Sequence, residues 1–278
     1  MTSIEPLRRN LTSVRIVAVE GASRSERPDT LATEEPMEIR VAGPDQKGRS
    51  VAVTMRTPGA DMDLAVGFLF TEGLIGPGDV QRVAYCDDLD GEEQRYNVVT
   101  VTIERAFDFD LLHRNFFATS SCGICGKAAL DDVELRCAPV GAGPTVAASV
   151  LVSLPEALRR EQKVFERTGG LHAAGLFTPE GELICLREDV GRHNAVDEVI
   201  GQQVLAGGVP LSGHVLQVSG RASFEIVQKA AMAGIPLVAA VSAPSSLAVD
   251  AGQRFGMTIV GFVRDGRLNI YSHPERVA

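Results

Sequence analysis

The sequence predicts an α/β protein, α+β overall, with an N-terminal and mainly antiparallel α+β domain over residues 1–143 and a C-terminal layered α/β domain over residues 144–278. Three observations lead to this fold class. In the N-terminal part, apolar and polar residues alternate in short runs, as in half-buried strands. In the C-terminal part, strand and helix patterns alternate, and the strands are continuously apolar, which indicates burial on both faces. Between the two parts, residues 141–144 are rich in glycine and typical of a linker.

The N-terminal elements follow from the spacing of the apolar residues. The alternating runs predict strands over residues 12–20, 37–41, 50–55, 80–86 and 96–103. Residues 23–35 are mostly polar and include Pro28, so they predict a loop. Residues 61–74 carry apolar side chains at helical spacing and predict a helix. The N-terminal sheet is therefore expected to have one helix packed against it.

The C-terminal elements begin with a helix start signal. Ser153 and Glu156 have the spacing of a capping box, with Pro155 in the first turn, and the helix is expected to end before Gly169. Strands are then predicted over residues 171–177, 182–186, 214–218, 236–241 and 257–263. Helices are predicted over residues 194–205, 222–233 and 245–255. This order is typical of a partly parallel sheet with helices on its faces.

Composition and charge exclude several classes of function. The net charge of −9 argues against general binding of nucleic acid or of anionic membranes. No stretch has the length and apolar character of a membrane span, and the N-terminal residues lack a secretory signal, so we expect a cytoplasmic location. The five cysteines, at positions 86, 122, 125, 137 and 185, are odd in number and irregularly spaced, which favours reduced thiols over a disulfide framework.

The closely spaced thiols of Cys122 and Cys125 are the most informative feature of the sequence. A structural zinc site needs four ligands, and no second pair of cysteines or histidines is present. Dithiol exchange would be helped by Lys127, which lowers a nearby thiol pKa, but the strand and helix that flank a thioredoxin-like pair are not predicted here. Sulfur carriage, in which a thiolate accepts sulfur from a donor persulfide, uses the same displacement chemistry. From the residues alone these interpretations, and that of an inert buried pair, stay open.

Polar clusters follow three of the predicted strands in the C-terminal part. They comprise residues 187–194, 219–223 and 242–246, each between a strand and a helix. Open α/β sheets place ligand sites at such junctions, and a helix N-terminus presents free N–H groups to an anion. The alternative is a solvated turn with a capped helix at each junction. Because there are three such junctions in succession, we expect an anion-binding site.

A fourth polar feature, around His172, is similar to the His-x-Glu motif of nucleoside deaminases. Ala174 occupies the position of the glutamate, and no Pro-Cys-x-x-Cys sequence follows. Deaminase catalysis is therefore not expected, and His172 is interpreted as a structural histidine at the start of a strand.

Taken together, these motifs resemble those of the formate dehydrogenase accessory sulfurtransferases, the FdhD family. The matching segments are Ser121-Cys122-Gly123-Ile124-Cys125-Gly126-Lys127, residues 168–175, Glu188-Asp189-Val190-Gly191-Arg192-His193-Asn194, Ser219-Gly220-Arg221 with Ser223-Phe224-Glu225, Ser242-Ala243-Pro244-Ser245, and residues 262–267. They span most of the chain from the cysteines onward, and their combination is specific although each is weak alone.

The resemblance implies a sulfurtransferase that takes persulfide sulfur from a cysteine desulfurase. It implies that the sulfur passes to the molybdenum or tungsten bis(guanine dinucleotide) cofactor, bound as a substrate, which formate dehydrogenase requires; no resident metal is expected. The family's persulfide residue maps to Cys122, with Cys125 as the accompanying thiol. A fold similar to that of cytidine deaminases and a homodimer are also implied.

The same resemblance implies a cofactor-binding stretch near the C-terminus. The matching residues are Phe262, Val263, Arg264, Asp265, Gly266 and Arg267. Because the cofactor is polyanionic, Arg221 is a further candidate, and Arg192 a weaker one. Two other functions remain as alternatives: a cofactor-binding chaperone that moves no sulfur, and a dithiol oxidoreductase.

Overall fold

The computed structural model describes residues 10–86, 97–110 and 139–278 of the chain. Within these residues the protein forms three β-sheets and six α-helices, an α+β architecture. Cys122, Cys125 and Cys137 lie outside the described residues.

A two-stranded antiparallel ribbon begins the described chain. β1 (Leu11–Glu20) pairs along its whole length with β2 (Ser23–Ala32). The predicted loop over residues 23–35 is therefore wrong. Most β2 side chains are exposed, so the strand is held by backbone pairing and carries no apolar pattern from which it could be predicted.

The next sheet has four strands in the order β4-β3-β6-β5. Its strands are β3 (Glu35–Ala42), β4 (Arg49–Arg56), β5 (Val80–Tyr85) and β6 (Val98–Ile103). The strands predicted over residues 37–41, 50–55, 80–86 and 96–103 are confirmed. The sheet is mainly antiparallel, since only β3 and β6 pair in parallel. Helix α1 (Asp61–Thr71) buries one side against this sheet through Leu64 and Leu69.

The third sheet has six strands in the order β12-β11-β10-β9-β7-β8. Its strands are β7 (His172–Phe177), β8 (Leu183–Asp189), β9 (Val215–Val218), β10 (Leu237–Ala240), β11 (Thr258–Arg264) and β12 (Arg267–Ser272). The three central strands β9, β10 and β11 are parallel, and every residue of β9 and β10 is buried. The predicted layered and partly parallel sheet is thus confirmed, with β12 as an additional strand.

Five helices cover the two faces of this sheet. They are α2 (Ala148–Glu161), α3 (Lys163–Thr168), α4 (Arg192–Leu205), α5 (Phe224–Met232) and α6 (Ser246–Phe255). Leu151, Leu154 and Leu158 of α2 pack on one face with Val215 and Val260. Helices α4, α5 and α6 pack on the other face in the larger buried cluster, which also includes α1.

The helix predicted to start at Ser153 begins earlier and ends earlier. Ser153 lies inside α2, where its hydroxyl donates to the Val150 carbonyl at 2.7 Å, and so it is not a cap. The prediction was wrong because burial of the leucine stripe extends the helix past a local start signal. A break at Gln162 then separates α2 from α3.

The two predicted parts share buried contacts. Helix α1, from the N-terminal part, packs against α4, from the C-terminal part, and both contribute to the larger buried cluster. The division between residues 143 and 144 stays a prediction.

Candidate functional site

The polar junctions that the sequence analysis singled out lie side by side at one edge of the six-stranded sheet. The Ser242 amide donates to the Gly220 carbonyl, and the Phe262 amide donates to the Ser242 carbonyl, each at 3.2 Å. The Ser245 amide donates to the Ala222 carbonyl at 3.0 Å. We call this edge, formed by residues 172, 189–194, 219–223, 242–246 and 262, the carboxyl edge, because the parallel strands end there.

Asp189 anchors the junction between β8 and α4. Its side chain is fully buried and accepts hydrogen bonds from the amides of Thr57 at 2.6 Å and Gly191 at 2.7 Å. It also accepts one from Nδ2 of Asn194 at 2.7 Å. Burial raises the pKa of this carboxyl to about 6, although its three donors favour the charged form. The carboxylate is thus a structural tie to the loop after β4, and not part of a solvated turn.

Asn194 makes a second tie between the same two regions. Its Nδ2 donates to the Met55 carbonyl at 2.8 Å, and its Oδ1 accepts from the Thr54 hydroxyl at 3.4 Å. Because Asp189 and Asn194 are both held, the intervening Arg192 and His193 are positioned by contacts with β4 and the loop that follows it. These long-range contacts have no signal in the local sequence.

His193 lies against the start of α5. Its Nε2 is 3.2 Å from the Ser223 hydroxyl and 3.8 Å from Glu225 Oε2. Burial and then the charge of Arg192 lower the pKa of His193 to about 4, so the ring is neutral at neutral pH. In a serine nucleophile triad, the acid contacts the other ring nitrogen from the one that contacts serine. Here both partners meet Nε2, so the cluster is not arranged for such chemistry.

Arg192 supplies positive charge to the carboxyl edge. It is the first residue of α4, and its Nε is buried without a hydrogen-bond partner among the described residues. Its charge lowers the pKa of His172 as well as that of His193, in each case after burial. A cation that neighbours two neutral imidazoles and begins a helix of 14 residues is suited to an anionic ligand.

The other predicted cations lie further out. Arg221 is exposed between β9 and α5, and Arg264 and Arg267 are exposed where β11 turns into β12. The guanidinium of Arg264 lies 5.6 Å from the Phe262 ring centroid. The stretch 262–267 therefore begins at the carboxyl edge and continues into an exposed charged turn.

The backbone of this turn has a distinctive conformation. Phe262 and Asp265 both have a φ of 53°, and Gly266 has a φ of 73°. Such values are unfavourable for a phenylalanine, and here the backbone contact of Phe262 with Ser242 holds the residue in place. Val263 is buried and ties the turn to the core.

A cavity of about 530 Å³ opens beside the carboxyl edge on the α2 and α3 side of the sheet. It is lined by Pro155, Leu158, Arg159, Gln162, Phe165, Gly169, Gly170, Leu171, His172, Ser219 and Val241. Of these residues, the sequence motifs pointed to Pro155 as part of a helix start, to residues 169–172 within a segment that resembles the family, and to Ser219 in a polar junction. Gln162 could not be found from the sequence, because it lies within a segment whose pattern predicts a continuous helix.

The described cysteines lie apart from this edge. Cys86 is half-buried, and its Sγ is 3.9 Å from Arg40 Nη1. Cys185 is buried in β8, which raises its thiol pKa. Among the described residues, no three His, Cys, Asp or Glu side chains are grouped so that they could hold a metal ion. No helix in this part of the chain has both the length and the apolar character needed to cross a membrane.

Comparison with solved structures supports the fold. A crystal structure described as that of a formate dehydrogenase accessory protein from Desulfotalea psychrophila superimposes with a TM-score of 0.75 at 25% identity, over 97% of this chain and 100% of the other. The α+β class is therefore confirmed. The likeness to cytidine deaminases stays a prediction.

Comparison with curated proteins covers nearly the whole chain. The sulfur carrier protein FdhD of Streptomyces avermitilis is 51% identical over 276 residues, which are 95% of this chain and 94% of the relative. The protein of the same name from Mycobacterium tuberculosis is 51% identical over 261 residues, or 90% and 92% of the two chains. The profile of the FdhD/NarQ family matches residues 32–278. This chain therefore belongs to the FdhD/NarQ family.

Proposed function

We propose that this protein is a sulfurtransferase that serves the maturation of formate dehydrogenase. The observation that carries the proposal is the match, at about half identity and over nearly the full length, to proteins named sulfur carriers. The formate dehydrogenase accessory protein with the same fold supports the identity of the client. The pair at Cys122 and Cys125 supplies thiols with the spacing that such chemistry needs.

In the first step, Cys122 takes up sulfur from the donor, proposed to be a cysteine desulfurase. The Cys122 thiolate attacks the outer sulfur of the donor persulfide, a new S–S bond forms, and the donor's own S–S bond breaks. The donor cysteine leaves as a thiolate, and Cys122 holds a persulfide. Lys127, five residues further along the chain, would favour the attacking thiolate by its positive charge.

In the second step, Cys125 acts as the resolving thiol. Its thiolate attacks Sγ of Cys122, the bond to the outer sulfur breaks, and that sulfur leaves as hydrosulfide. Cys122 and Cys125 are then joined by a disulfide, and an external dithiol must reduce it before the next cycle. The sulfur is thus reduced to the level of a sulfide ligand, and the two cysteines supply the electrons.

The proposed acceptor is a molybdenum or tungsten bis(guanine dinucleotide) cofactor, bound as a substrate. Its phosphates need cations and helix N-termini in a protein of net negative charge. Two observations on the carboxyl edge support this proposal. Arg192 Nε is buried without a hydrogen-bond partner among the described residues, and Arg221, Arg264 and Arg267 are exposed nearby. The proposal includes a homodimer, as the family resemblance implies, and the cytoplasmic location that is expected from the sequence.

A cofactor-binding chaperone that moves no sulfur is a second candidate. The charged carboxyl edge favours this candidate, because a site that binds an anionic cofactor does not itself require a thiol. Activation of formate dehydrogenase by a Cys122→Ala/Cys125→Ala double variant to the wild-type level would select the chaperone. Cycling of the pair to an intramolecular disulfide with thioredoxin-like reductants, without sulfur on either residue, would select a dithiol oxidoreductase.

Mass spectrometry tests the proposed sulfur transfer directly. The full chain is incubated with a cysteine desulfurase and cysteine, and we expect an added sulfur atom on the peptide that contains Cys122. Cys86→Ala is the matched control, because Cys86 is a half-buried thiol away from the pair in sequence, and it should load normally. Undiminished sulfur loading in Cys122→Ala would refute the assignment.

A further inference from the structure

The ribbon of β1 and β2 makes its main contact with the rest of the described chain at α3. There a Cβ atom on Gly170 would lie 3.7 Å from that of Ala32. The two strands pair over ten residues each, which is a length of about 33 Å. Since most side chains of β2 are exposed, much of the ribbon depends on its own pairing. An isolated two-stranded ribbon is only marginally stable in water, so a further contact would stabilise it.

Strand β1 is apolar on both of its faces. Val14 and Ile16 lie on one face of the ribbon, and Val17 and Val19 lie on the other, because side chains alternate along a strand. Val17 and Val19 are each 59% exposed. Apolar residues on both faces are typical of a strand in the interior of a sheet, where neighbouring strands cover part of each side chain. Within the described residues, however, β1 pairs with β2 alone.

The outer edges of the two strands differ in their protection against further pairing. β2 carries charged residues and a proline, at Arg24, Glu26, Arg27, Pro28 and Asp29. Such residues on an edge strand hinder the addition of another strand. β1 has no proline, and its charged residues are Arg15, which lies 3.8 Å from Glu26 of the same ribbon, and Glu20 near the turn. The outer edge of β1 is therefore the one suited to accept another strand.

The charge of the ribbon indicates the kind of partner. Residues 11–32 contain three basic residues, Arg15, Arg24 and Arg27, and three acidic ones, Glu20, Glu26 and Asp29, so their net charge is zero. The whole chain has a net charge of −9, so two copies repel each other overall. At the neutral ribbon two copies can meet without this repulsion. A two-fold axis beside β1 would place the same apolar residues of both copies together, which makes the edge complementary to itself.

We infer that β1 pairs edge to edge and antiparallel with β1 of a second copy of this chain, so that two ribbons form one four-stranded sheet. Each β1 then becomes an inner strand, and its outward N–H and C=O groups gain partners. The charged β2 strands form the two edges of this sheet, where they block further addition. The inference rests on the homodimer of the proposed function, and it goes beyond that proposal by assigning the surface that joins the copies.

Sedimentation velocity on the full chain tests this inference. The wild type should sediment as a dimer. In Val17→Lys/Val19→Lys the dissociation constant of the dimer should rise about a hundredfold or more, because apolar side chains leave the interface and like charges enter it. Val53→Lys is the matched control, since Val53 is a valine that is 68% exposed on β4 of another sheet. It should leave the dissociation constant unchanged.

Amide hydrogen exchange separates loss of the interface from unfolding of the ribbon. In an antiparallel pair, alternate amides of β1 donate to β2, and the others point outwards. We expect both sets to exchange slowly in the wild-type dimer, and the outward set alone to exchange rapidly in the lysine variant. Rapid exchange of the outward amides in a wild-type dimer overturns the inference, even where the lysine variant has lost its ribbon structure.

A lysine variant that remains as strongly dimeric as the wild type also overturns the inference. A monomeric wild type overturns both the inference and the proposed homodimer. Sulfur loading of Cys122 is measured on the same wild-type sample, and it reports on the proposed sulfur transfer whichever surface joins the copies. Failure of the inference is thus distinguishable from failure of the proposed function.

Discussion

Gly67 of α1 and Gly201 of α4 meet where the two helices cross in backbone contact. A Cβ atom on Gly67 would overlap the Asp197 carbonyl, and one on Gly201 would overlap the Asp63 carbonyl. The two helices cannot separate freely, because both bury their apolar side chains in the same cluster. This crossing joins the region before the cysteine pair to the helix that begins with Arg192.

Replacement of Gly201 by alanine should therefore destabilise the protein. The added methyl group meets backbone atoms, which cannot rotate away, so we expect a loss of about 1–3 kcal/mol in the free energy of unfolding. Denaturant unfolding followed by circular dichroism measures it. Gly213→Ala, where a Cβ would meet no atom within 4 Å, is the control and should change stability little. Equal stabilities of the two variants would contradict the close crossing.

Lys229 forms a buried ion pair at the same group of helices. Its Nζ lies 3.0 Å from Asp197 Oδ2 and 3.1 Å from Glu72 Oε1. Lys229→Met leaves Asp197 buried without its cation, and we expect a loss of about 3–5 kcal/mol in the free energy of unfolding.

A double-mutant cycle distinguishes this loss from a packing effect. Adding Asp197→Asn to Lys229→Met removes the unpaired charge and should recover part of the stability. If the double variant is destabilised by the sum of the single effects, the two groups are not coupled.

His193 makes the stability depend on pH in a direction that can be tested. Its folded pKa of about 4 lies below the unfolded value of about 6.5. The unfolded state thus binds the proton more tightly, and stability present above about pH 6.5 is lost as the pH falls towards 4. We expect His193→Gln to gain stability relative to the wild type over this interval, as measured by denaturant unfolding at several pH values.

Asp189 changes the stability with pH in the opposite direction from His193. The effect of His193 is therefore obtained by comparing the wild type with His193→Gln at each pH. Its folded pKa of about 6 lies above the unfolded value of about 3.9, and its contribution is present below the lower value and lost as the pH rises through about 6. In His193→Gln, the fall in stability that Asp189 causes as the pH rises through about 6 should be easier to measure, because the opposite effect of His193 is absent. A difference between the wild type and His193→Gln that does not change with pH would refute the depressed pKa of His193.

Arg192 should influence both an anionic ligand and the two neighbouring histidines. Arg192→Gln removes a charge that lowers the pKa of His172 and of His193, so both pKa values should rise, as observed by NMR titration of the imidazole protons. Binding of guanosine monophosphate should weaken by about tenfold, the loss expected for one charge-assisted contact. Arg160→Gln, whose side chain is 70% exposed on α2, should change neither quantity.

Much of the fold could be predicted from the sequence because it depends on local patterns. The hairpin of β3 and β4 and the alternation from β7 to β11 have apolar periodicities that match their burial. The ribbon strand β2 was missed because most of its side chains are exposed, and a strand that pairs through its backbone needs no apolar pattern. The start of α2 was misplaced because a local cap signal at Ser153 is weaker than the burial of three leucines.

The chemistry of the candidate site divides in the same way. By itself, the sequence determined the thiol pair at Cys122 and Cys125, the three polar junctions and the family resemblance, because these are short segments whose residue types carry their meaning. The hydrogen bond of Asp189 to the loop after β4, and the cavity that Gln162 lines together with His172 and Ser219, are visible only in the tertiary structure. The physical reason is that burial and hydrogen bonding of these side chains depend on residues far away in the chain, which no local pattern specifies.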